Sequence, residues 1–505
     1  MNKCLVFLLL GFFSLTVSAQ EANEIDTSLP EFNFNTLDLK GEMHFLASDY
    51  LAGRRTGSIG NEVAAEYIAA QLEAYGYEPI NDGSYFQEVP LRSVLSPGSA
   101  TLTVGKSNFQ VGENLLIMRG PAAVGDGNVV FANYGWVDEA TGHDDYKDLD
   151  VEGKIVITRP GVPGMTGQQG VFEGLGKKPE LAAERGAIAI YEIYSLPFPW
   201  SSFVGYFGGE RIGINSGESR TATIPYGFIK TEDGFLEALN ARKKTKGSFA
   251  SAGMIAQDMN SRNVGGILRG SDPELADEYV ILTAHFDHVG VGAQGGGAFT
   301  EQDSIFNGSR DNAFGTISLL SAARAFAEVP PRRSIIILAV TGEEMGLLGS
   351  QYYAANPLVP LEQTVYNFNT DGAGYTETDA ISLFGANRTG IDPQVEQGAG
   401  AFDLRVIGNP APEQNLYDRS DNVSFAARGV PALTFSPGFS EFNDGMMRYY
   451  HQVSDNPNTI DYDYLRKYCQ AFTLSARLIA NRDTRPFWAE GDKYEEAGRD
   501  LYNQK

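Results

Sequence analysis

Histidine and acidic side chains follow several short apolar segments of the sequence, each at the point where the segment ends. The segments are YVILTA (279–284), SIIILAV (334–340), VYNFN (365–369) and VPALTFS (430–436). The groups that follow them are His285 with Asp287, Glu343 with Glu344, Asp371 and, after a longer loop, Tyr450 with His451. Asp311 opens an apolar stretch between the first two segments. Two imidazoles with three or four carboxylates are typical of a site for one or two zinc ions.

The apolar segments have the composition of strands, and they alternate with stretches that have the apolar spacing of helices. The helical stretches are 57–76, 311–329 and 463–482. Alternation of strands and helices predicts a largely parallel α/β sheet, in which functional groups gather at the carboxyl ends of the strands. We therefore expect the imidazoles and carboxylates to converge on one edge of the sheet. Asp311, at a helix start, is the natural bridge if two ions share a ligand.

Each candidate residue also has an ordinary structural explanation when it is taken alone. Asp311 could satisfy a helix dipole, and Asp371 could belong to a turn. Adjacent acids such as Glu343 and Glu344 usually lie in a solvated turn. However, an ordinary turn after a buried strand favours Gly, Asn or Asp over Glu. Five coincidences at successive strand ends are a poor explanation, so we favour the metal site. Structural roles are assigned to the other histidines, His44, His143 and His288.

Composition and charge exclude several classes of partner. The chain has 505 residues, with 64 acidic residues against 39 Lys and Arg, and a formal net charge of -25. Such a chain repels phosphate backbones, which argues against nucleic-acid binding.

The amino terminus predicts a signal peptide over 1–19. The prediction rests on Lys3, a short apolar run at 5–17 and small residues before Gln20. The signal peptide predicts export to the periplasm or the extracellular space. No later stretch of the sequence has the length of a membrane span.

The combined motifs resemble the co-catalytic two-zinc exopeptidases, a family that includes secreted bacterial aminopeptidases and the glutamate carboxypeptidase type. The resemblance is carried by AHFDHVG (284–290), NGSRDNAFGT (307–316), TGEEMGLLGSQYY (341–353), NFNTDGAG (367–374), SDNVSFAARGVPAL (420–433) and YHQVSDNPNTID (450–461). The segment at 45–68 is similar to the amino-terminal region of that family. The resemblance implies peptide substrates and a three-layer α/β/α sandwich with a mixed, mostly parallel sheet.

The resemblance also implies how two zinc ions would be held. One ion would take His285 and Asp371 as ligands. The other would take Glu344 and His451. Asp311 would bridge the two ions.

Three further residues receive roles from the same resemblance. Asp287 would accept the second imidazole N–H of His285 and fix its tautomer. Glu343 would be the general base for a zinc-bridging hydroxide, and Tyr450 would donate to the developing oxyanion.

The middle of the chain resembles a protease-associated domain inserted into the peptidase. The supporting segments are 134–161 and 180–193. The expected division is a signal peptide (1–19), a peptidase domain in two parts (20–95 and 259–485), a β-rich insert (96–258) and an acidic C-terminal tail (486–505). We expect the insert to lie over the cleft and narrow access to it.

An aminopeptidase is the first functional hypothesis, and a carboxypeptidase or dipeptidase is the alternative. Arg310 stands where the family more often has a small or acidic residue. It could pair with a neighbouring carboxylate, which we favour, or read the carboxylate of a substrate. A single-zinc glutaminyl cyclase and a catalytically inactive, receptor-like binding protein are disfavoured by the full set of ligands together with Glu343.

Overall fold

The computed structural model describes residues 27, 29, 32–165, 168–217, 223–241 and 244–503, so the predicted signal peptide lies outside the described residues. Within these ranges no helix is long and apolar enough to cross a membrane. The helices are α1 (Thr36–Leu46), α2 (Ile59–Ala74), α3 (Gln168–Glu184), α4 (Trp200–Phe207), α5 (Phe235–Asn240), α6 (Phe314–Glu328), α7 (Leu348–Ala355), α8 (Asp392–Gly400), α9 (Asn422–Ala426), α10 (Asp444–Met447), α11 (Tyr462–Ala480) and α12 (Glu495–Leu501).

The strands fall into a larger and a smaller sheet and one short pair. The larger sheet contains β1 (Glu78–Pro79), β2 (Phe86–Leu95), β11 (Arg211–Ile214), β14 (Ile255–Leu268), β15 (Tyr279–His285), β16 (Ser334–Val340), β17 (Thr364–Thr370), β18 (Ala380–Phe384), β19 (Arg405–Gly408) and β20 (Ala432–Pro437). The smaller sheet contains β3 (Ala100–Val104), β4 (Ser107–Gln110), β5 (Leu115–Arg119), β6 (Ala123–Phe131), β9 (Ile155–Thr158), β10 (Ala189–Ile193), β12 (Tyr226–Ile229) and β13 (Thr245–Ser251). The short pair is β7 (Val137–Asp138) with β8 (His143–Asp144).

The larger sheet is mixed, and its centre is parallel. Its strand order is β11-β2-β14-β16-β15-β17-β20-β18-β19, with β1 paired to β14. The strands β16, β15, β17 and β20 run parallel to one another, whereas β14 and β18 join them in antiparallel pairs. The predicted α/β class with a mixed sheet is confirmed, and the central parallel strands are those that the sequence analysis associated with the site residues.

Helices cover both faces of this sheet because its central strands are apolar on both sides. Val280 and Ile281 of β15 point to opposite faces, as successive residues of a strand must. One face packs against α1, α2, α6, α8 and α11, and the other packs against α7, α9 and the C-terminal segment. Trp488 anchors that segment, since it is buried and its indole N–H donates to the Gly429 carbonyl at 2.9 Å.

The middle region builds the smaller sheet by itself. All eight strands lie between residues 100 and 251, in the order β4-β3-β13-β6-β9-β10-β12-β5. One strand of the same region, β11, instead pairs antiparallel with β2 at the edge of the larger sheet. The predicted insert therefore also contributes to the larger sheet, and its boundaries at 96 and 258 stay a prediction.

A buried arginine joins the loops that lead to the strand ends. The guanidinium of Arg54 donates to the carbonyls of Leu46 at 2.5 Å, Phe286 at 2.8 Å, Asn307 at 2.7 Å and Gly308 at 2.9 Å. Burial lowers the pKa of Arg54 to about 10, so it remains charged at neutral pH. One cation thus satisfies carbonyls from three separate segments of the chain.

We predict that Arg54→Met lowers the free energy of unfolding by about 2–4 kcal/mol, because buried carbonyls lose their charged donor. Arg55→Met is the matched control. Arg55 has one carboxylate partner, Glu210, at 3.3 Å, and 37% of the Glu210 side chain is exposed. Because the control removes one ion pair where Arg54→Met removes four hydrogen bonds to buried carbonyls, it should cost clearly less. Equilibrium denaturation measures both values, and equal losses would contradict the proposed role of Arg54.

Candidate two-metal site

The structure brings the predicted site residues together at the carboxyl ends of the parallel strands. His285 is the last residue of β15, and Asp371 directly follows β17. Glu343 and Glu344 come three and four residues after β16. Asp311 lies in a single irregular turn, Ser309–Ala313, just before α6. Tyr450 and His451 lie in the loop that follows α10.

Asp311 faces two imidazoles at once. Its Oδ1 lies 3.4 Å from Nε2 of His285, and its Oδ2 lies 3.2 Å from Nε2 of His451. The same nitrogen of His285 is 3.1 Å from Oδ1 of Asp371, and that of His451 is 3.1 Å from Oε2 of Glu344. The donor atoms thus form two groups that share Asp311, each with its atoms within 4.8 Å of one another. These two groups contain the ligand pairs that the resemblance implied.

The structure adds His288, to which the sequence analysis assigned a structural role. Its side chain is fully buried, and its Nδ1 lies 2.7 Å from Oε1 of Glu344. It belongs to the same group of possible metal ligands as Glu344, Asp311 and His451. Its place three residues after His285, in the same segment, is the signal that could have identified it.

Asp287 positions the two glutamates in addition to its predicted partner. Its carboxylate accepts the backbone N–H groups of Glu343 at 3.2 Å and Glu344 at 3.3 Å, and the Thr56 hydroxyl at 3.0 Å. The nearest Asp287 oxygen to His285 Nδ1 is the backbone carbonyl at 3.3 Å, whereas the carboxylate lies at 3.7 Å. Asp287 therefore holds the backbone of the turn that carries both glutamates.

A pocket opens directly above these groups. Its polar side is lined by Asp311, Glu343, Glu344, Asp371, Ser420, Tyr450 and His451. Its apolar side is lined by Ala373, Phe384, Leu416, Phe439 and Phe442, and Arg419 completes the wall. Every lining residue lies between 311 and 451. The expectation that the insert narrows the cleft therefore stays a prediction.

Burial and like charge tune the groups that line the pocket. Burial raises the pKa of Glu343 well above its ordinary value, and the carboxylates of Asp371 and Glu344 reinforce the shift. Burial also raises the pKa of Asp421, a carboxylate that the sequence analysis did not identify, to about 7. The pKa of Tyr450 is likewise raised by burial and by nearby carboxylates, which keeps its hydroxyl protonated. A basic carboxyl and a protonated phenol are suited to proton transfer and to hydrogen-bond donation.

Arg310 has a structural role. Its Nη1 lies 2.9 Å from Oδ1 of Asp455, and its backbone N–H donates to Oδ2 of the same carboxylate at 2.8 Å. The guanidinium also lies over the ring of Tyr449, 3.8 Å from its centroid. The explanation favoured from sequence, an ion pair with a neighbouring carboxylate, agrees with these contacts. Arg419 is the guanidinium that lines the pocket.

Comparison with known proteins agrees with this geometry. The profile of Peptidase family M28 matches residues 263–475. Among curated relatives, the chain is 26% identical over 264 residues to Aminopeptidase YwaD from Bacillus subtilis, covering 52% of this chain and 53% of the relative. It is 26% identical over 235 residues to Aminopeptidase Y from Saccharomyces cerevisiae, covering 44% of this chain and 38% of the relative. The chain spans about half of the length of the first of these relatives, and less of the second.

A solved structure extends the likeness in fold to most of the chain. The aminopeptidase from Aneurinibacillus sp. strain AM-1 superposes with a TM-score of 0.56 and 19% identity. The superposition covers 90% of this chain and 95% of that structure. At this identity the likeness shows a shared fold. The profile match thus gives the chain a Peptidase family M28 domain at residues 263–475, and the superposition shows the shared fold over most of the chain.

Proposed function

We propose that the chain is an exported zinc aminopeptidase that hydrolyses the first peptide bond of its substrates. The observation that carries the proposal is the position of Asp311 between two imidazoles. Its Oδ1 lies 3.4 Å from His285 Nε2, and its Oδ2 lies 3.2 Å from His451 Nε2. A carboxylate shared in this way is the arrangement that two neighbouring divalent cations require. The names of the curated relatives support the aminopeptidase reading.

The donor set fits two zinc ions. Imidazole nitrogens and carboxylate oxygens are ligands that zinc accepts, and both groups of donors are largely buried. Four carboxylates line one small pocket. Because their negative charges repel one another, it is unfavourable for all four to be ionised at once. Two divalent cations would relieve that repulsion. His285 and Asp371 would hold one ion, Glu344 and His451 would hold the other, and Asp311 would bridge them, with His288 against Glu344.

The residues around the pocket divide the remaining chemistry between them. Bound zinc would supply Lewis-acid activation of water and of the scissile carbonyl. Glu343 would accept the proton of the attacking water and return it to the leaving amine, for which its raised pKa is suited. The Tyr450 hydroxyl would donate a hydrogen bond to the oxyanion as charge develops there. The Asp287 carboxylate would keep Glu343 in place by accepting a hydrogen bond from the backbone N–H of Glu343.

The walls of the pocket indicate which substrates would fit. Phe384, Phe439 and Phe442 form an apolar surface beside the carboxylates, so we expect an apolar side chain at the cleaved residue. Arg419 lines the same pocket and could receive a carboxylate of the substrate. That feature supports the carboxypeptidase or dipeptidase alternative, because a guanidinium pairs well with a terminal carboxylate. The β-rich middle region would serve as a protease-associated domain.

Glu343→Gln should reduce kcat by about two to four orders of magnitude, because the amide cannot accept the proton of water. The bound zinc should remain, since Glu343 is not among the proposed ligands. Glu413→Gln, which removes an exposed acid outside the pocket, is the matched control and should leave kcat unchanged. Turnover of a peptide amide and zinc content by elemental analysis are the readouts. Full activity of Glu343→Gln would refute the general-base assignment.

Asp311→Asn should weaken both metal sites, because an amide is a poorer bridge than a carboxylate. We expect the variant to retain fewer than two zinc ions per chain at a free zinc concentration that saturates the wild type. A chelator should lower the melting temperature of the wild type, and added zinc should restore it, since a ligand that binds only the native state stabilises that state. Two fully retained ions in the variant would contradict the bridging role.

End-resolved digestion separates the aminopeptidase from its alternative. Zinc-loaded protein is incubated with short peptides, half of them N-acetylated, and the products are identified by mass. We expect loss of residues from free amino termini alone, with Arg419→Gln still active on long peptides. Shortening from the carboxyl end, indifferent to acetylation and abolished in Arg419→Gln, would establish the carboxypeptidase instead. Arg310→Gln would then be uninformative about substrate, because Arg310 is already paired with Asp455.

A further inference from the structure

A second cavity, of about 730 Å³, lies between the two sheets and is separate from the candidate metal site. Its walls come from β5 and β12 of the smaller sheet and from β2, β11 and β14 of the larger one. None of its lining residues lines the pocket above Asp311. Its volume is in the range that holds a small organic ligand. We call it the seam cavity.

Two arginines of the seam cavity lack an acidic partner among the described residues. Arg211 donates from Nη2 to the Met118 carbonyl at 3.0 Å, and Arg119 donates from Nη1 to the Gly176 carbonyl at 3.3 Å. Burial lowers the pKa of Arg211, and the positive charge of Arg119 lowers it further. A third arginine, Arg92, differs because Asp258 lies 2.7 Å from its Nε.

With no acidic partner among the described residues, Arg119 and Arg211 leave two positive charges on the wall of one cavity. Acidic residues outnumber Lys and Arg by 64 to 39, so carboxylates are the more abundant partner. Burying a guanidinium such as that of Arg211 near a second positive charge costs free energy unless an anion compensates it. A guanidinium offers five N–H donors, and each of these two uses one in the contacts above, so donors remain for a ligand.

The rest of the seam cavity is largely apolar. Its walls include Val94, Met118, Leu175, Ile212, Ile214 and Met254. A small inorganic anion would use the arginines and leave these walls against water. A neutral apolar molecule would leave the arginines uncompensated. The ligand that satisfies both features carries an anionic group on an apolar body.

We propose that the seam cavity binds an organic carboxylate with an apolar body. Its carboxylate would lie between Arg119 and Arg211, where the planar guanidiniums can each donate two parallel hydrogen bonds. Its apolar part would lie against Leu175, Ile212 and Met254. A free carboxylic acid and the C-terminus of an apolar peptide share this chemistry. The site is independent of the proposed peptidase activity.

The test measures binding to zinc-loaded, full-length protein by calorimetry. Octanoate is the probe, acetate carries the same charge without the apolar body, and 1-octanol carries the body without the charge. We expect octanoate to bind at least about tenfold more tightly than either control, with affinity falling as salt is added. This comparison needs no variant. Equal affinity for octanoate and octanol would overturn the proposal.

Variants then assign the binding to the seam cavity. Arg211→Gln and Arg119→Gln should each weaken octanoate binding by about ten- to a hundredfold, because each removes charge-assisted hydrogen bonds. Arg92→Gln is the matched control and should change the affinity by less than about threefold, since Asp258 already neutralises Arg92. Unchanged binding in Arg211→Gln would overturn the proposal. Loss of binding in Arg419→Gln would place octanoate in the candidate metal site and would overturn it as well.

A last arm separates the two sources of the carboxylate. An N-acetylated dipeptide ending in leucine is compared with its C-terminal amide. Binding of the free acid, with loss in the amide and in Arg211→Gln, would identify a peptide C-terminus as an accepted ligand. Binding of octanoate without binding of the dipeptide acid would identify a free carboxylic acid. If neither octanoate nor the dipeptide acid binds more tightly than acetate, the proposal is overturned.

Discussion

The candidate site depends on one carboxylate being held between two imidazoles. Asp311 belongs to an irregular turn, and two of the residues just before it are held by charged groups. Arg310 is paired through its side chain and its backbone N–H with Asp455, and the Gly308 carbonyl accepts from Arg54. Two buried arginines therefore fix the turn from which Asp311 reaches both groups of ligands. Without that fixed turn, the two groups would share no residue.

Asp287 has a comparable role on the opposite side of the site. Its carboxylate accepts from Thr56 in the amino-terminal region and from the backbone of Glu343 and Glu344. Since the same segment carries His285 and His288, one short stretch of chain positions two imidazoles and the two glutamates. The proposed division of labour, with Glu344 toward metal and Glu343 toward water, would follow from the backbone that Asp287 holds as well as from the side chains.

The sequence predicted the parallel strands well because their apolar runs are buried on both faces, and β16 begins and ends at the predicted residues. It predicted a helix from Asp311, whereas α6 begins at Phe314, because Asp311 and Asn312 have non-helical φ and ψ values. The partner of Arg310 was ambiguous because Asp455 is 145 residues away in the chain. His288 and Asp421 were missed because a buried histidine and a helix-start acid have common structural explanations, and only the fold brings them beside Glu344 and Glu343.

The pairing of β11 with β2 gives the middle region a second task. Strand β2 pairs with β14 over ten residues, and β11 covers four residues of its other side. A chain that lacked residues 96–258 would lose β11 and the first four residues of β14. The backbone N–H and C=O groups of β2 would then be open to solvent along much of the strand, which is the condition for edge-to-edge association between molecules. The middle region thus covers a sheet edge, so we expect its removal to promote association between molecules of this chain.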